Sequence, residues 1–203
     1  YNAFQPVYEH KVAAEQAHAV QQKYSLPKSY ILFVGRLELK KNVHRIVQAY
    51  YETMSRLENP PALVLAGKPG YGFEEIERYI DNRNLRNNIV LTGWVAQNDL
   101  PAMMQGAVGF VFTTLYEGFG MPILEAMSSG IPVITSNNSS TKEIAGDAAL
   151  LADPRDPHDI AKAMTELIQN PDIRTRLTQK GYIRAQQFSW DQTAQKITDI
   201  LTA

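Results

Sequence analysis

The segment YILFVGRLELKKNVHRIVQAYYETMSRL, residues 30–57, decides the fold because it joins a short apolar run to a stretch with helical periodicity. Tyr30–Val34 is apolar on both faces and is followed by Gly35, which is typical of a buried parallel strand with a tight exit. From Val43 to Leu57, apolar residues recur at the intervals of an amphipathic helix. The segment therefore predicts a strand, a loop and a helix.

The same alternation repeats along the chain. Five further apolar runs predict strands at residues 62–66, 88–91, 108–112, 132–134 and 148–151. Six further helices are predicted at residues 73–82, 99–105, 122–129, 157–169, 172–187 and 190–201. Alternating strands and helices predict an α/β fold with a Rossmann-like, doubly wound parallel sheet flanked by helices, in one domain over residues 1–203.

Composition limits the kind of site to be sought. The chain has 203 residues, 44% of them hydrophobic, and a net charge of -1, so we expect no general attraction to nucleic acid. It has no cysteine, which excludes disulfides and thiolate chemistry. The longest nearly apolar stretch, residues 107–116, is far shorter than the roughly 20 residues of a membrane span. Four scattered histidines without ligand spacing predict no metal site.

Ligands of doubly wound sheets bind at the carboxyl ends of the strands, so the loops there are informative. In the first such loop, Arg36 with Lys40 or Lys41 brings positive charge to a helix N-terminus, where Asn42 is the expected N-cap. This is the outline of an anion clamp, although solvated surface charges would give the same pattern. The second loop, Gly67–Gly72, lacks the G-x-G-x-x-G spacing, and we expect no dinucleotide site there.

The third loop belongs to LYEGFGMPILEAMSSG, residues 115–130. Its glycines, Gly118 and Gly120, leave backbone amides able to approach phosphate oxygens. Glu125 is expected in the first turn of the following helix, where it would offset the helix dipole. Glu117 precedes the helix, so the dipole does not account for it. Two carboxylates also suit a glycosidase, but the surrounding cations and amides favour an anionic leaving group such as a diphosphate.

Five stretches carry a family resemblance, and they are YILFVGRLELKKN (30–42), LTGWVAQNDLPAMM (91–104), LYEGFGMPILEAMSSGIPVITSN (115–137), EIAGDAALLADPRDP (143–157) and FSWDQTAQKI (188–197). In this order they resemble the C-terminal domain of retaining glycosyltransferases of the GT-B fold, in glycosyltransferase family 4. The resemblance covers nearly the whole chain. It implies a hexosyltransferase whose C-terminal half binds a nucleotide-diphosphate sugar.

The resemblance also implies a role for each matching residue. Arg36 and Lys41, in the loop opened by Gly35, would grip the donor diphosphate, with Lys40 as a nearby substitute. Glu117 would contact hydroxyls of the transferred sugar without acting as a covalent nucleophile, and Glu125 would hold the ribose. The remaining contacts with the phosphates, the sugar and the base would come from Gly118, Phe119, Gly120, Met121, Leu124, Val95 and, beside it, Trp94. No metal and no cofactor are expected.

The resemblance further implies a missing half. The chain starts at Tyr1 without a methionine or a signal peptide, and Tyr1–Ala3 resembles the link that follows an N-terminal acceptor-binding domain. We therefore expect donor binding but little or no transfer by this piece alone, and an exposed apolar stripe on the helix at residues 190–201. The glycan or lipid-linked acceptor would bind the N-terminal domain. The whole protein is expected in the cytoplasm, with peripheral contact at the inner face of the membrane.

Several functions stay open at this point. The stretches at residues 117–137 and 143–154 look most like bacterial polysaccharide mannosyltransferases that use GDP-mannose, whereas a glucosyltransferase using a UDP-sugar is the alternative donor class. A non-catalytic nucleotide-sugar-binding module would share the fold and the clamp. A nucleotide-sugar epimerase of the same fold is disfavoured by the GRLELKK and EGFG pair. A purely structural domain would leave the convergence of cations, glycines and acids unexplained.

Overall fold

The computed structural model describes residues 4–202, except the side chain of Lys196, so the predicted link at Tyr1–Ala3 lies outside the described residues. Over this range the strands are β1 (Tyr30–Val34), β2 (Ala62–Ala66), β3 (Ile89–Gly93), β4 (Gly109–Phe112), β5 (Val133–Ser136) and β6 (Ala149–Ala152). All six predicted strands are present. Their bounds differ from the prediction by two residues at most.

Helices connect and cover the strands. Over residues 4–202 they are α1 (Ala14–Lys23), α2 (Val43–Met54), α3 (Phe73–Asn82), α4 (Leu100–Gln105), α5 (Met121–Ser128), α6 (Ser139–Ala145), α7 (Pro157–Gln169), α8 (Pro171–Ala185) and α9 (Trp190–Thr202). The sequence pattern does not predict α1 or α6. The buried residue of α1 is Val20, and one buried position does not produce the periodic apolar pattern of an amphipathic helix. Helix α6 begins in a run of serines, which favours turns.

The strands form one parallel sheet in the order β3-β2-β1-β4-β5-β6. Leu32 of β1, for example, lies between Val64 of β2 and Phe110 of β4. The chain builds the sheet outward from β1 in one direction and then returns to add β4 on the other side. This order confirms the predicted doubly wound fold and makes the crevice between β1 and β4 its expected ligand site.

The sheet is buried on both faces because helices cover each side. Ile31, Leu32 and Phe33 of β1 are fully buried, as expected for a central parallel strand. Helix α2 packs against α7, while α5 packs against α8. Such packing holds the ends of the strands rigidly, so the loops that follow them start from fixed positions.

Helix α9 differs from the other long helices because its apolar residues face outward. Trp190, Ile197, Ile200 and Leu201 are all exposed, which confirms the expected exposed stripe. Within residues 4–202, no helix combines the length and the apolar character needed to cross a bilayer.

Candidate functional site

An ion pair lies where the order of the sheet reverses. Lys41, in the loop after β1, donates from Nζ to Oε1 of Glu117, in the loop after β4, at 2.5 Å. The two side chains are largely shielded, with exposed fractions of 23% and 14%. The neighbouring Lys40 is exposed. The structure therefore brings Lys41, and not Lys40, to the predicted acid.

The ring of Phe112 connects this ion pair to the start of the loop after β1. Lys41 Nζ lies 5.7 Å from the ring centroid. A Cβ added to Gly35 would lie 4.0 Å from Phe112 Cε2 and 3.2 Å from Phe33 Cζ. The ion pair and the exit of β1 are thus both close to the same aromatic ring.

A cleft of about 540 Å³ opens beside Gly35 and is lined by residues that follow β1, β2 and β3. Arg36 stands at its rim with 67% of its side chain exposed and Nε 3.8 Å from Oε2 of Glu38. Trp94 is 64% exposed, and Val95 beside it is buried. An aromatic face, apolar walls and a cation at the rim suit a planar ring attached to an anionic group.

The second loop supports the first one. Its backbone runs beside residues 35–39, with Leu37 N donating to Lys68 O and Gly70 N donating to Leu37 O, both at 2.9 Å. A Cβ on Gly67 would lie 1.8 Å from Gly35 O, so this contact requires glycine. Lys68 also lines the cleft, a role that the sequence analysis missed. The sequence feature that could have predicted this role is the position of Lys68, two residues after the end of the buried strand β2.

Polar side chains fix the backbone of the loop that carries Glu117. Ser139 Oγ and Ser140 Oγ both donate to Glu117 O, at 3.0 and 2.9 Å. Ser136 Oγ donates to Thr114 O at 2.6 Å, and Asn138 Nδ2 donates to Leu115 O at 3.3 Å. The sequence pattern did not single out these residues, although a polar run follows directly after β5.

The predicted phosphate-binding segment forms the start of α5. Gly120 is the N-cap residue, with φ +104°, and Pro122 lies in the first turn. Among the described residues, no protein acceptor receives the amides of Gly118 and Gly120. A Cβ on Gly118 would meet nothing within 4 Å, so internal packing does not require that glycine. The side chain of Leu124 is fully buried, which leaves only its backbone for a ligand.

The prediction that Asn42 is the N-cap residue of α2 is confirmed, but its side chain makes no capping hydrogen bond. Its backbone is in the left-handed conformation, with φ +62°. The amide instead donates to carbonyls of two other loops. The first turn of α2 therefore keeps amides that this side chain does not satisfy.

The prediction that Glu125 lies in the first turn of α5 is wrong. Because α5 starts at Met121, Glu125 is its fifth residue and lies beyond the first turn, where the helix dipole has little effect. Burial raises the pKa of Glu125 to about 7. Burial and then the charge of Glu125 raise the pKa of Tyr8 above its ordinary value. Within residues 4–202 no ion pair links Glu125 to Lys41 or Arg36.

The described residues hold no group of three His, Asp or Glu side chains arranged to bind a metal ion. They do bring Lys41, Glu117 and two helix N-termini to the reversal point of the sheet, and the loop that holds Lys41 also carries Arg36. This arrangement can hold a diphosphate by charge and by amide hydrogen bonds, with an acceptor beside it for hydroxyl groups.

The chain is similar in sequence to known glycosyl transferases. The family model for glycosyl transferases of group 1 matches residues 15–184. The O-antigen chain mannosyltransferase B of Escherichia coli is 37% identical over 173 residues, which is 85% of this chain and 45% of that protein. The chain spans less than half the length of the curated relatives that it matches.

Solved structures share the fold. Anabaena HepE, crystallised with UDP and glucose, is similar with a TM-score of 0.85 and 21% identity over all of this chain and 56% of that chain. The C-terminal domain of LpcC, a group 1 family protein from Francisella tularensis, has a TM-score of 0.75 and 25% identity. That match covers 89% of this chain and 96% of the other.

Proposed function

The chain belongs to the glycosyl transferases of group 1, and we propose that it is the donor-binding domain of a retaining hexosyltransferase of bacterial polysaccharide synthesis. The observation that carries this proposal is the ion pair between Lys41 and Glu117 at the reversal point of the sheet. The ion pair places the ammonium group of Lys41, which can bind a diphosphate, beside the carboxylate of Glu117, which can accept hydrogen bonds from sugar hydroxyls.

The chemistry follows from the number of donors and acceptors. The ammonium group of Lys41 has three N–H donors, and one is used on Glu117. Two remain for phosphate oxygens, and the amides at Gly118 and Gly120 add more. Glu117 uses Oε1 for Lys41 and keeps Oε2 for sugar hydroxyls. As the glycosidic bond to the donor breaks, these fixed cations and dipoles stabilise the charge that develops on the diphosphate. No general acid and no metal are needed for that step.

The cleft beside Arg36 is the proposed place of the nucleobase. Trp94 offers a ring face and Val95 an apolar wall, while Arg36 and Lys68 stand on the side of the phosphates. Glu125 would hold the ribose, as the family resemblance implies. Its burial and raised pKa make the protonated form abundant near neutral pH.

We propose mannose from GDP-mannose as the donor. The support is the mannosyltransferase named among the relatives, at 37% identity. A UDP-sugar is the second candidate because HepE, with the same fold, was crystallised with UDP and glucose. A non-catalytic module that binds nucleotide sugars would have the same site.

The acceptor is proposed to bind an N-terminal half of the whole protein, outside this chain. The match to 96% of the LpcC C-terminal domain supports this division. A glycan or lipid-linked acceptor would then reach the donor across a cleft between the two halves. This chain by itself is proposed to bind the donor and to transfer little or none of its sugar.

Calorimetric titration of the chain with GDP, UDP and ADP tests the proposal, followed by GDP-mannose and UDP-glucose. We expect saturable binding with one base preferred. Binding of none of the three diphosphates would contradict a donor site, and a preference for UDP would replace GDP-mannose by the second candidate. Transfer assays with the full-length protein separate a transferase from a binding module.

A further inference from the structure

A single buried amide joins three loops at the carboxyl edge of the sheet. Asn42 Nδ2 donates to Thr113 O at 2.7 Å and to Pro154 O at 2.6 Å. Thr113 begins the loop after β4, and Pro154 lies in the loop after β6. The Asn42 side chain is fully buried. Its two donors thus hold the loop after β1 against two loops on the other side of the reversal point.

The side chain is itself held in one orientation. Arg45 Nη1 donates to Asn42 Oδ1 at 3.0 Å, which directs the NH₂ group towards the two carbonyls. The left-handed backbone, with φ +62°, is one that asparagine tolerates better than most residues. Glycine would accept the same backbone without the side chain, and aspartate would place an oxygen against the two carbonyls.

The location of this amide matters because of its neighbours in the chain. Asn42 directly follows Lys41, and Thr113 begins the loop that carries Glu117. The hydroxyls of Ser139 and Ser140 hold that loop from its other side. The amide therefore ties the backbone that follows Lys41 to the first residue of the loop that carries Glu117.

We propose that Asn42 is a positioning residue of the donor site, whose amide holds Lys41 and the Glu117 loop at the distance where their ion pair forms. The expected effect of Asn42 on diphosphate binding rests on the proposed function. Its expected effect on the ion pair between Lys41 and Glu117 does not depend on any ligand.

The first experiment measures the ion pair in the absence of nucleotide. A double-mutant cycle with Lys41→Ala and Glu117→Ala gives the coupling between the two residues from chemical unfolding. The same cycle is then repeated in an Asn42→Gly background, which keeps the left-handed conformation and removes the amide. We expect the coupling to fall to about half or less. An unchanged coupling would overturn the proposal.

A matched control is present at the opposite edge of the sheet. Tyr50 Oη donates to Pro61 O at 2.9 Å and to Asn88 O at 3.2 Å, also from a fully buried side chain. The single O–H of Tyr50 is shared by the two carbonyls. Tyr50→Phe therefore removes one buried donor, whereas Asn42→Gly removes two, and it does so before β2 and β3, far from Lys41 in the sheet. We expect Tyr50→Phe to lower stability while leaving the coupling intact. Equal loss of coupling in both variants would show a general loosening and would overturn the proposal.

The second experiment titrates GDP and UDP. We expect Asn42→Gly to weaken binding of the preferred diphosphate about tenfold, and Tyr50→Phe to leave it unchanged. In a Lys41→Ala background, Asn42→Gly should have little further effect, because it acts through Lys41. If the unchanged chain binds neither diphosphate, the proposed function fails, whereas the coupling experiment still decides the role of Asn42.

Arg45→Ala provides a milder variant in case Asn42→Gly does not fold. It leaves Asn42 in place but removes the hydrogen bond that orients its amide. We expect a smaller loss of coupling between Lys41 and Glu117, in the same direction. Full coupling in Arg45→Ala together with full coupling in Asn42→Asp would contradict the role assigned to the amide.

Discussion

Lys41 Nζ lies 2.5 Å from Glu117 Oε1 although the two residues are 76 positions apart in the chain. The contact crosses the point at which the sheet reverses its order, between β1 and β4. Each residue is presented by the loop after a buried central strand, so the backbone beneath the pair is well supported. Both charges are partly shielded from water, which strengthens their interaction with each other and with a bound anion.

Lys41→Ala should weaken binding of the preferred nucleoside diphosphate by roughly ten- to a hundredfold, because a charge-assisted contact with phosphate is lost. The free energy of unfolding should fall by only about 1 kcal/mol, since the ion pair keeps some contact with water. Calorimetry and chemical unfolding measure the two quantities. Lys40→Ala is the matched control and should bind normally because Lys40 is exposed. Equal affinities for the two variants would refute the assignment of Lys41.

Glu117→Gln should separate recognition of the sugar from recognition of the diphosphate. The variant loses the carboxylate acceptor and releases Lys41, so we expect GDP affinity within about threefold of the unchanged chain and GDP-mannose affinity about tenfold lower. If UDP is the preferred base, the same comparison applies to UDP and UDP-glucose. Parallel losses for the diphosphate and its sugar would place Glu117 outside the sugar site.

Gly67→Ala should destabilise the chain by about 3 kcal/mol, because the new Cβ would lie 1.8 Å from Gly35 O and the two loops would have to separate. Diphosphate binding should fall with it, since the moved loop carries Arg36. Gly118→Ala is the contrasting variant, with nothing within 4 Å of its Cβ, and should unfold at the same denaturant concentration as the unchanged chain. A stable Gly67→Ala variant would show that the contact between the loops is not needed.

Glu125→Gln should change the dependence of stability on pH. Burial raises the pKa of Glu125 from 4.5 to about 7 in the folded chain. Below pH 4.5 both the folded and unfolded forms are protonated, whereas between 4.5 and 7 only the unfolded form gives up its proton, so stability falls as pH rises. The variant should therefore gain stability relative to the unchanged chain across this range, by on the order of 3 kcal/mol at pH 8.

Unfolding in denaturant at pH 4, 6 and 8 measures this effect. Glu166→Gln removes an exposed carboxylate of α7 and serves as the control for the loss of one negative charge. A constant offset between Glu125→Gln and the unchanged chain would show that Glu125 titrates alike in both states.

The strands could be predicted because each is a short apolar run with its own local signal, and the order of strands and helices implied the doubly wound fold. Helix α1 has no periodic apolar pattern, because the side chain that it buries is that of Val20. Helix α6 escaped prediction because its serines donate to the backbone of Glu117, a contact that a local pattern does not contain. The hydrogen bonds of the Asn42 side chain escaped prediction for the same reason, since its acceptors lie 71 and 112 positions away.

By itself, the sequence determined the fold class, the three loops at the carboxyl edge and the types of residue in them, because these follow from periodicity and from the rules of parallel sheets. Only the tertiary structure decided that Lys41 and not Lys40 meets Glu117, that Gly67 supports the loop of Arg36, and that Glu125 is partly buried beyond the first turn of α5. These outcomes depend on distances between segments far apart in the chain, and packing of the whole sheet sets those distances.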